Sequence, residues 1–347
     1  MTFPSHQRPN WPFRLIATVV VAVLAALAVA VPSSASNDKV DGVRAEVKRG
    51  TLNVMGGDQA DAVALRLKAG DSTVVQVDVG DDGSADFSFA RRDIDASGIK
   101  MGDGDDSARI DDANGAFTDS IPATIAGGDG DDSLQGGQVQ VAAENEKFKG
   151  GDGNDSVDGG KGNDTAHLGD GNDSFRWDNG EGSDVIEGQD GTDTMLFNGA
   201  AASETVTMTA NAGRLRFFRV QGNVTMDTDG VETVDFNALN GTDTVTVNDL
   251  TGTDVTRTNI DLAGTLGGNL GDGNAENVVV GGTAGDDDIT VTGNGSGAEL
   301  TGLATAVSVK HADPTDTLSV NTLGGTDDVL VNGVAGVLQV LVDGAPA

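Results

Sequence analysis

Residues 150–176 read G-G-D-G-N-D-S-V-D, G-G-K-G-N-D-T-A-H, L-G-D-G-N-D-S-F-R, three nonamers in unbroken register. In each block the fourth residue is Gly, the sixth is Asp and the eighth is apolar or Ala. After a two-residue slip at Trp177-Asp178 the pattern resumes as N-G-E-G-S-D-V-I-E (179–187) and G-Q-D-G-T-D-T-M-L (188–196). Upstream stand G-G-D-G-D-D-S-L-Q (127–135) and a weaker M-G-D-G-D-D-S-A-R (101–109). Chance in a chain rich in Gly and Asp supplies one such nonamer, not three in register with four more nearby. A short fixed period means stacked units, each burying its apolar residue against its neighbours.

The composition sharpens this reading. The 347 residues carry 55 acids against 21 bases, a formal charge of −34, which excludes nucleic acid and other polyanions as partners. Only nine of the acids are Glu, leaving 46 Asp, so the short carboxylate is specifically favoured. Gly numbers 51 and Pro 7, which fits neither collagen nor a Pro-rich linker. Aromatics are 4% with no Tyr, so a conventional core of Phe, Tyr and Trp is not expected. Composition alone fits disorder, and the register argues against it. The absence of Cys excludes disulfides, thiolate metal sites, a cysteine nucleophile and a lipoprotein anchor.

At these nonamers the chain resembles the RTX, or haemolysin-type, calcium-binding repeat family, over about residues 101–196. The resemblance implies an all-β fold, a right-handed parallel β-roll or β-solenoid in which two nonamers complete a coil and several Ca²⁺ ions sit between turns stacked 18 residues apart. It also implies which residues hold metal. They are the position-six aspartates Asp106, Asp132, Asp155, Asp164, Asp173, Asp184 and Asp193, with the turn glycines Gly151, Gly153, Gly160, Gly162, Gly169 and Gly171. Asp155 and Asp173 are 18 apart and share one side of the roll. Two places are expected to falter: Asp164 to Asp184 is 20 residues because of the slip, and the insert Gln138–Lys149 leaves the site of block 127–135 incomplete.

The chemistry suits the pattern. Ca²⁺ takes six to eight oxygens from carboxylates and backbone carbonyls. Gly lets the turn fold with its carbonyls inward, and Asp reaches the same ion from within that turn where Glu overshoots. One apolar residue per nonamer does not offset the entropy of ordering nine backbones. Residues 101–196 add 23 acids against five bases, so this block is expected to be largely disordered without Ca²⁺ and to fold on binding it.

Around the block, Arg8 and Arg14 precede an apolar run, Leu15 to Val31, ended by Pro32 and Ser33-Ser34-Ala35, which reads as a signal peptide over 1–35. Residues 36–100 read as a β-rich N-terminal cap, 101–199 as the calcium-binding roll, and 200–347 as a degenerate β-repeat arm with longer strands. Val231 to Leu250 and the stretch around Val278–Val291 resemble the β-repeat arms of secreted bacterial calcium-binding proteins. In the arm, Asp243, Asp287 and Asp327 occupy the position-six slot with Gly missing around them, where turn-capping competes with metal binding as their role.

No zinc helix, nucleophile elbow or Walker loop is present. His167 and His311, and the acid pairs Glu144 with Glu146 and Glu181 with Glu187, are the residues an enzyme would have to use; such pairs are expected by chance in so acidic a chain. The reading is therefore a secreted, non-enzymatic calcium-binding protein, without catalytic or organic-cofactor residues and without stable membrane insertion once the signal is cleaved. The alternatives are an extracellular surface or matrix adhesin in which calcium only stiffens the rod, with a cell-surface or polysaccharide partner, and a polysaccharide-active enzyme on a β-helix face.

Overall fold

The structure is a computed structural model that describes residues 39–139 and 145–347, so the signal-peptide reading lies outside the described residues. Gly, Asn and Asp interrupt the apolar alternation every few residues, and the described chain contains only strands and three short 3₁₀ turns. The strands form two sheets, of 15 and 14 strands among the described residues. None of the described residues builds a helix long and apolar enough to cross a membrane.

Within the repeats each coil sends one strand to each sheet. Lys147–Asp152, Thr165–Gly171 and Val185–Gly191 run parallel in the first sheet; Ser156–Asp158, Ser174–Trp177 and Thr194–Asn198 run parallel in the second. Lys147 pairs with Thr165 and Ser156 with Ser174, an offset of 18 that makes two nonamers one coil. Side chains alternate across each strand, so register stacks like on like. Leu134, Val157, Phe175 and Met195 form one inward column, and Ile125, Phe148, Ala166 and Ile186 the other, all buried in a common core.

The slip lengthens a strand rather than breaking the stack. Thr165 pairs with Val185 and Ser174 with Thr194, both 20 apart. The two extra residues give the second-sheet strand one more inward position, which Trp177 fills. Trp177 stacks on Phe197 with ring centroids 3.9 Å apart and planes 7° from parallel, and Phe197 lies 4.4 Å from Phe217. The aromatics, few as they are, thus do form a core: Phe117, Phe148, Phe175, Trp177, Phe197, Phe217 and Phe236 are among the largest fully buried side chains.

Beyond Asn198 the solenoid is interrupted by two antiparallel meanders. Thr205–Asn211, Arg214–Arg219 and Val224–Asp229 enter the first sheet; Asp288–Gly293, Ala298–Thr301 and Ala306–Lys310 enter the second. The first hairpin turns on Ala212-Gly213, both left-handed with φ of 53° and 95°, as a tight two-residue hairpin requires. Because each sheet receives one meander, parallel pairing then resumes in both, between Asn277–Gly281 and Thr317–Asn321 and between Asp288–Gly293 and Asp328–Asn332. Second-sheet strands here are longer, 5 residues in Arg257–Asp261 against 3 in Ser156–Asp158.

At the other end, Arg44–Lys48 pairs antiparallel outside Thr51–Met55, and Asp71–Val79 with Phe87–Ala90 outside Ala62–Lys68. These hairpins cover edges that would otherwise template foreign strands. Phe217 and Phe218 test the packing: Phe217 is buried, whereas Phe218 lies half-buried under the Arg216 guanidinium. Phe217→Ala is expected to cost about 3–5 kcal/mol in chemical denaturation with saturating Ca²⁺, and Phe218→Ala under about 1 kcal/mol.

Candidate metal centre

The position-six aspartates stand on the two edges of the roll, where the chain passes between sheets. On one edge they form a single ladder, in which each backbone N–H donates to the carboxylate one coil further on. Asp61 N–H reaches Asp106 Oδ1 at 2.7 Å, Asp106 reaches Asp132 at 2.8 Å, and Asp132 reaches Asp155 at 2.9 Å. Asp155 then reaches Asp173 at 2.6 Å, Asp173 reaches Asp193 at 2.8 Å, and Asp193 reaches Glu232 Oε2 at 2.7 Å. On the other edge Glu146 N–H donates to Asp164 Oδ1 at 2.6 Å and Asp164 N–H to Asp184 Oδ1 at 2.8 Å. All seven aspartates singled out by the sequence therefore fall in two ladders.

Both expected interruptions are absent from these ladders. The step from Asp132 to Asp155 spans 23 residues and that from Asp164 to Asp184 spans 20, yet neither hydrogen bond is lost. The insert lies between the end of Ser133–Gln135 and the start of Lys147–Asp152, and the slip lies at the end of Ser174–Trp177 and just after it, so the ladder turns stay in register with their neighbours. Glu also fills the slot: Glu146 donates its backbone N–H to the ladder, and at 232 the longer side chain accepts from Asp193 N–H without overshooting.

The second oxygen of each aspartate decides the chemistry. Asp106, Asp132, Asp155, Asp164, Asp173, Asp184 and Asp193 are at most 3% exposed, and in every one Oδ2 is buried with no hydrogen-bond partner. A buried charge without a partner is strongly unfavourable. Burial accordingly pushes the carboxyls up, Asp132 and Asp193 to about 6, Asp155 and Asp184 to about 7. Asp106 and Asp173 move the same way from the same cause, and Asp164 is raised by burial and by the Asp184 and Glu146 charges. An external cation would relieve all of them at once.

The glycines make this burial possible. A Cβ on Gly150 would lie 2.1 Å from Asp155 Oδ2, and one on Gly127 would lie 1.8 Å from Asp132 Oδ2. At positions two and four the obstacle is backbone: a Cβ on Gly171, whose φ is 153°, would meet the Gly153 carbonyl at 1.7 Å. Gly151, Gly153, Gly160 and Gly169 lie against glycine carbonyls of the adjacent coil in the same way, and Gly162 presents its own carbonyl to Gly182. The turns are therefore columns of closely stacked backbone.

A second ladder was not read from the sequence. Position five carries Asp105, Asp131, Asn154 and Asn172, whose side-chain oxygens accept from the next coil's position five: Asp131 N–H at 3.0 Å, Asn154 at 2.7 Å, Asn172 at 3.0 Å and Thr192 at 3.0 Å. The signal was the restriction of that position to Asp, Asn, Ser and Thr. Position three adds an exposed in-register column, Asp103, Asp129, Asp152, Asp170 and Asp190, with like charges facing one another.

In the arm the position-six slots differ. Asp287 is satisfied by its own turn, accepting from Thr283 N–H and Thr283 Oγ1 at 2.8 Å each, and Asp327 accepts from Asp287 N–H at 3.0 Å. Asp243 keeps a buried Oδ2 without a partner. Glu204 is instead paired with the buried Arg219 guanidinium.

Of the residues considered for catalysis, His311, Glu181 and Glu187 make side-chain contacts. His311 Nδ1 lies 2.7 Å from Asp261 Oδ1, and His167 is exposed on the outer face of the first sheet, between Lys149 and Glu187 in register. Glu187 is 3.0 Å from Arg214, and Glu181 accepts from Asp178 N–H at 2.6 Å. Glu144 lies outside the described residues. Among the described residues no three acidic or histidine side chains converge as a metal cluster, so the ladder offers one carboxylate per turn rather than a carboxylate cage.

Two outcomes are expected. Gly150→Ala is expected to destabilise the folded protein by about 1–3 kcal/mol in denaturant titration, as overpacking does, whereas Gly98→Ala, with nothing near its Cβ, is tolerated. The ladder carboxyls sit above the ordinary 3.8, so without divalent cations their stability contribution is complete below about pH 4 and is lost as pH rises through about 6 to 7. Circular dichroism in chelator is expected to show more β-structure at pH 5 than at pH 8.

Comparison with curated proteins finds no match. Comparison with protein families matches the RTX calcium-binding nonapeptide repeat (4 copies) to residues 124–138, 143–175 and 180–199. These are the residues whose turns carry the two aspartate ladders from Asp132 to Asp193. The stretch 124–199 is thus similar to RTX calcium-binding nonapeptide repeats, and the match supports calcium as the ion for its turns.

Proposed function

We propose that this protein is a secreted, non-enzymatic calcium-binding protein whose repeat block folds as it binds several Ca²⁺ ions. The observation that carries the reading is the orphaned Oδ2, repeated coil after coil in one register. Asp106, Asp132, Asp155, Asp173 and Asp193 on one edge, and Asp164 and Asp184 on the other, would each supply that oxygen. Carbonyls of the stacked glycine turns, among them Gly151, Gly153, Gly160, Gly162, Gly169 and Gly171, would supply further ligands, in keeping with the preference of Ca²⁺ for mixed carboxylate and carbonyl oxygen.

Export follows from residues 1–35 acting as a signal peptide, after which 36–100 caps the roll, 101–199 binds the ions and 200–347 extends the solenoid. Extracellular calcium modules commonly bind at about 10⁻⁴–10⁻³ M. A chain crossing a calcium-poor compartment would stay open and close outside, because metal binding and folding are one equilibrium. The engagement of His311, Glu181 and Glu187 in structural contacts supports a role without catalysis.

Circular dichroism and small-angle scattering on the mature chain, in chelator and at millimolar Ca²⁺, test the coupling. Compaction and gain of β-structure are expected with calcium, and identical traces would defeat the reading. Asp155→Asn with Asp173→Asn is expected to move the folding midpoint to several-fold higher Ca²⁺, and an unmoved midpoint removes these two residues from the ligand set.

A further inference from the structure

Three carboxylates outside the RTX match stand in the position-six slot of consecutive coils in the C-terminal arm. Asp243, Glu276 and Asp316 immediately precede the parallel strands Thr244–Val247, Asn277–Gly281 and Thr317–Asn321. Their carbonyls tie the coils together: Asn277 N–H donates to Asp243 O at 2.8 Å, Thr317 N–H to Glu276 O at 2.9 Å, and Gln339 N–H to Asp316 O at 2.8 Å. All three side chains are buried, Glu276 to 3% exposure.

The ladder's hydrogen bonding changes here. Glu204 N–H donates to Asp243 Oδ1 at 2.7 Å and Glu276 N–H to Asp316 Oδ1 at 3.1 Å, as in the repeats. No N–H group donates to either oxygen of Glu276, whose side-chain partner is the Asp316 carboxyl, and Asp243 Oδ2 receives no hydrogen bond. An ordinary slot of the ladder leaves one oxygen without a donor, as Asp243 does; the Glu276 slot leaves two. The Asp316 carboxylate lies beside Glu276, with Asp243 and Asp272 also contributing negative charge, and Asp316 has both oxygens occupied, Oδ2 by Asp313 N–H at 2.6 Å. No guanidinium is supplied, in contrast to Arg219 at Glu204.

We infer that Glu276, between Asp243 and Asp316, is the centre of a further divalent-cation site, selective for an oxygen-preferring ion such as Ca²⁺ and separate from the RTX block. No three acidic side chains among the described residues converge on one point, so Glu276 with one neighbouring carboxylate would supply part of the ligand set and turn carbonyls the rest. It rests on the calcium reading only for the identity of the ion.

Equilibrium dialysis of the full mature chain against saturating Ca²⁺ counts the ions. Glu276→Gln is expected to bind one ion fewer per chain than the parent, while Asp155→Asn with Asp173→Asn loses ions from the repeats and keeps this one. Should Glu276→Gln not fold, Asp243→Asn is expected to give the same loss of one. An unchanged count in the folded variant, with the calcium-free protein more stable than the parent, means that Glu276 and Asp316 share a proton and overturns the site. Loss in the Glu276 variant without loss in the Asp155 and Asp173 variant would overturn the repeat ligands instead, and a parent that binds no calcium overturns both.

Discussion

A carboxylate held with one oxygen in a backbone hydrogen bond and the other buried without a donor is the constraint on which this structure turns. The first oxygen sets the spacing. Asp155 N–H on Asp173 Oδ1, repeated from Asp61 to Glu232, locks each turn to the next and leaves little freedom in how coils stack. The second oxygen sets the composition. At Asp132 and Asp155 it takes the volume that a Cβ on Gly127 or Gly150 would occupy, whereas Met101, Leu168 and Asn179 hold position one in the blocks of Asp106, Asp173 and Asp184. It also sets the ionic condition, since an anion excluded from water and given no donor must gain a proton or a cation.

That constraint explains where the chain tolerates irregularity. Coil lengths of 18, 20 and 23 residues coexist because the extra residues fall at the end of a second-sheet strand or after it, leaving the Asp155 ladder in register. The slip is even used, since it creates the inward position of Trp177 and starts the stack that runs through Phe197 to Phe217 and Phe236. Antiparallel strands are accommodated within single steps of the ladder, Ala62–Lys68 to Phe87–Ala90 between Asp61 and Asp106 and Thr205–Asn211 to Val224–Asp229 between Asp193 and Glu232.

The parts legible in the sequence were those fixed by local chemistry. Period, strand alternation, the seven aspartates and the glycines all follow from residue type at a fixed offset, so a nonamer such as 150–158 carries them in plain view. The meanders did not announce themselves: Ala212-Gly213 is a hairpin turn, but Thr205–Asn211 alternates just as a parallel solenoid strand does, and pairing direction is a long-range property. Position five was overlooked for a different reason. Asp131, Asn154 and Asn172 are ordinary turn residues when taken singly, and only the stacking of coils reveals each as an acceptor for the next. The aromatic core was discounted because composition counts residues without saying where they go.

The arm shows other answers to the same electrostatic problem, and the contrast bears on why the repeats need an external ion. Glu204, in a position-six slot, has its charge met by the buried Arg219, which also donates to Gln221 O at 2.9 Å and Asn179 Oδ1 at 3.1 Å. Asp287 is met by the hydroxyl and the backbone N–H of Thr283. Within 101–196 the arginines are directed elsewhere, Arg109 to Asp81 and Asp111 and Arg176 to Asp158 and Asp178. A guanidinium is too large to enter between turns whose glycine carbonyls already sit within a Cβ's reach of the next coil, whereas a bare ion of calcium's size can bind oxygens at about 2.3–2.6 Å. Close backbone stacking and a cationic side chain are therefore mutually exclusive at these turns, and the glycine columns leave the charge to be balanced from solution.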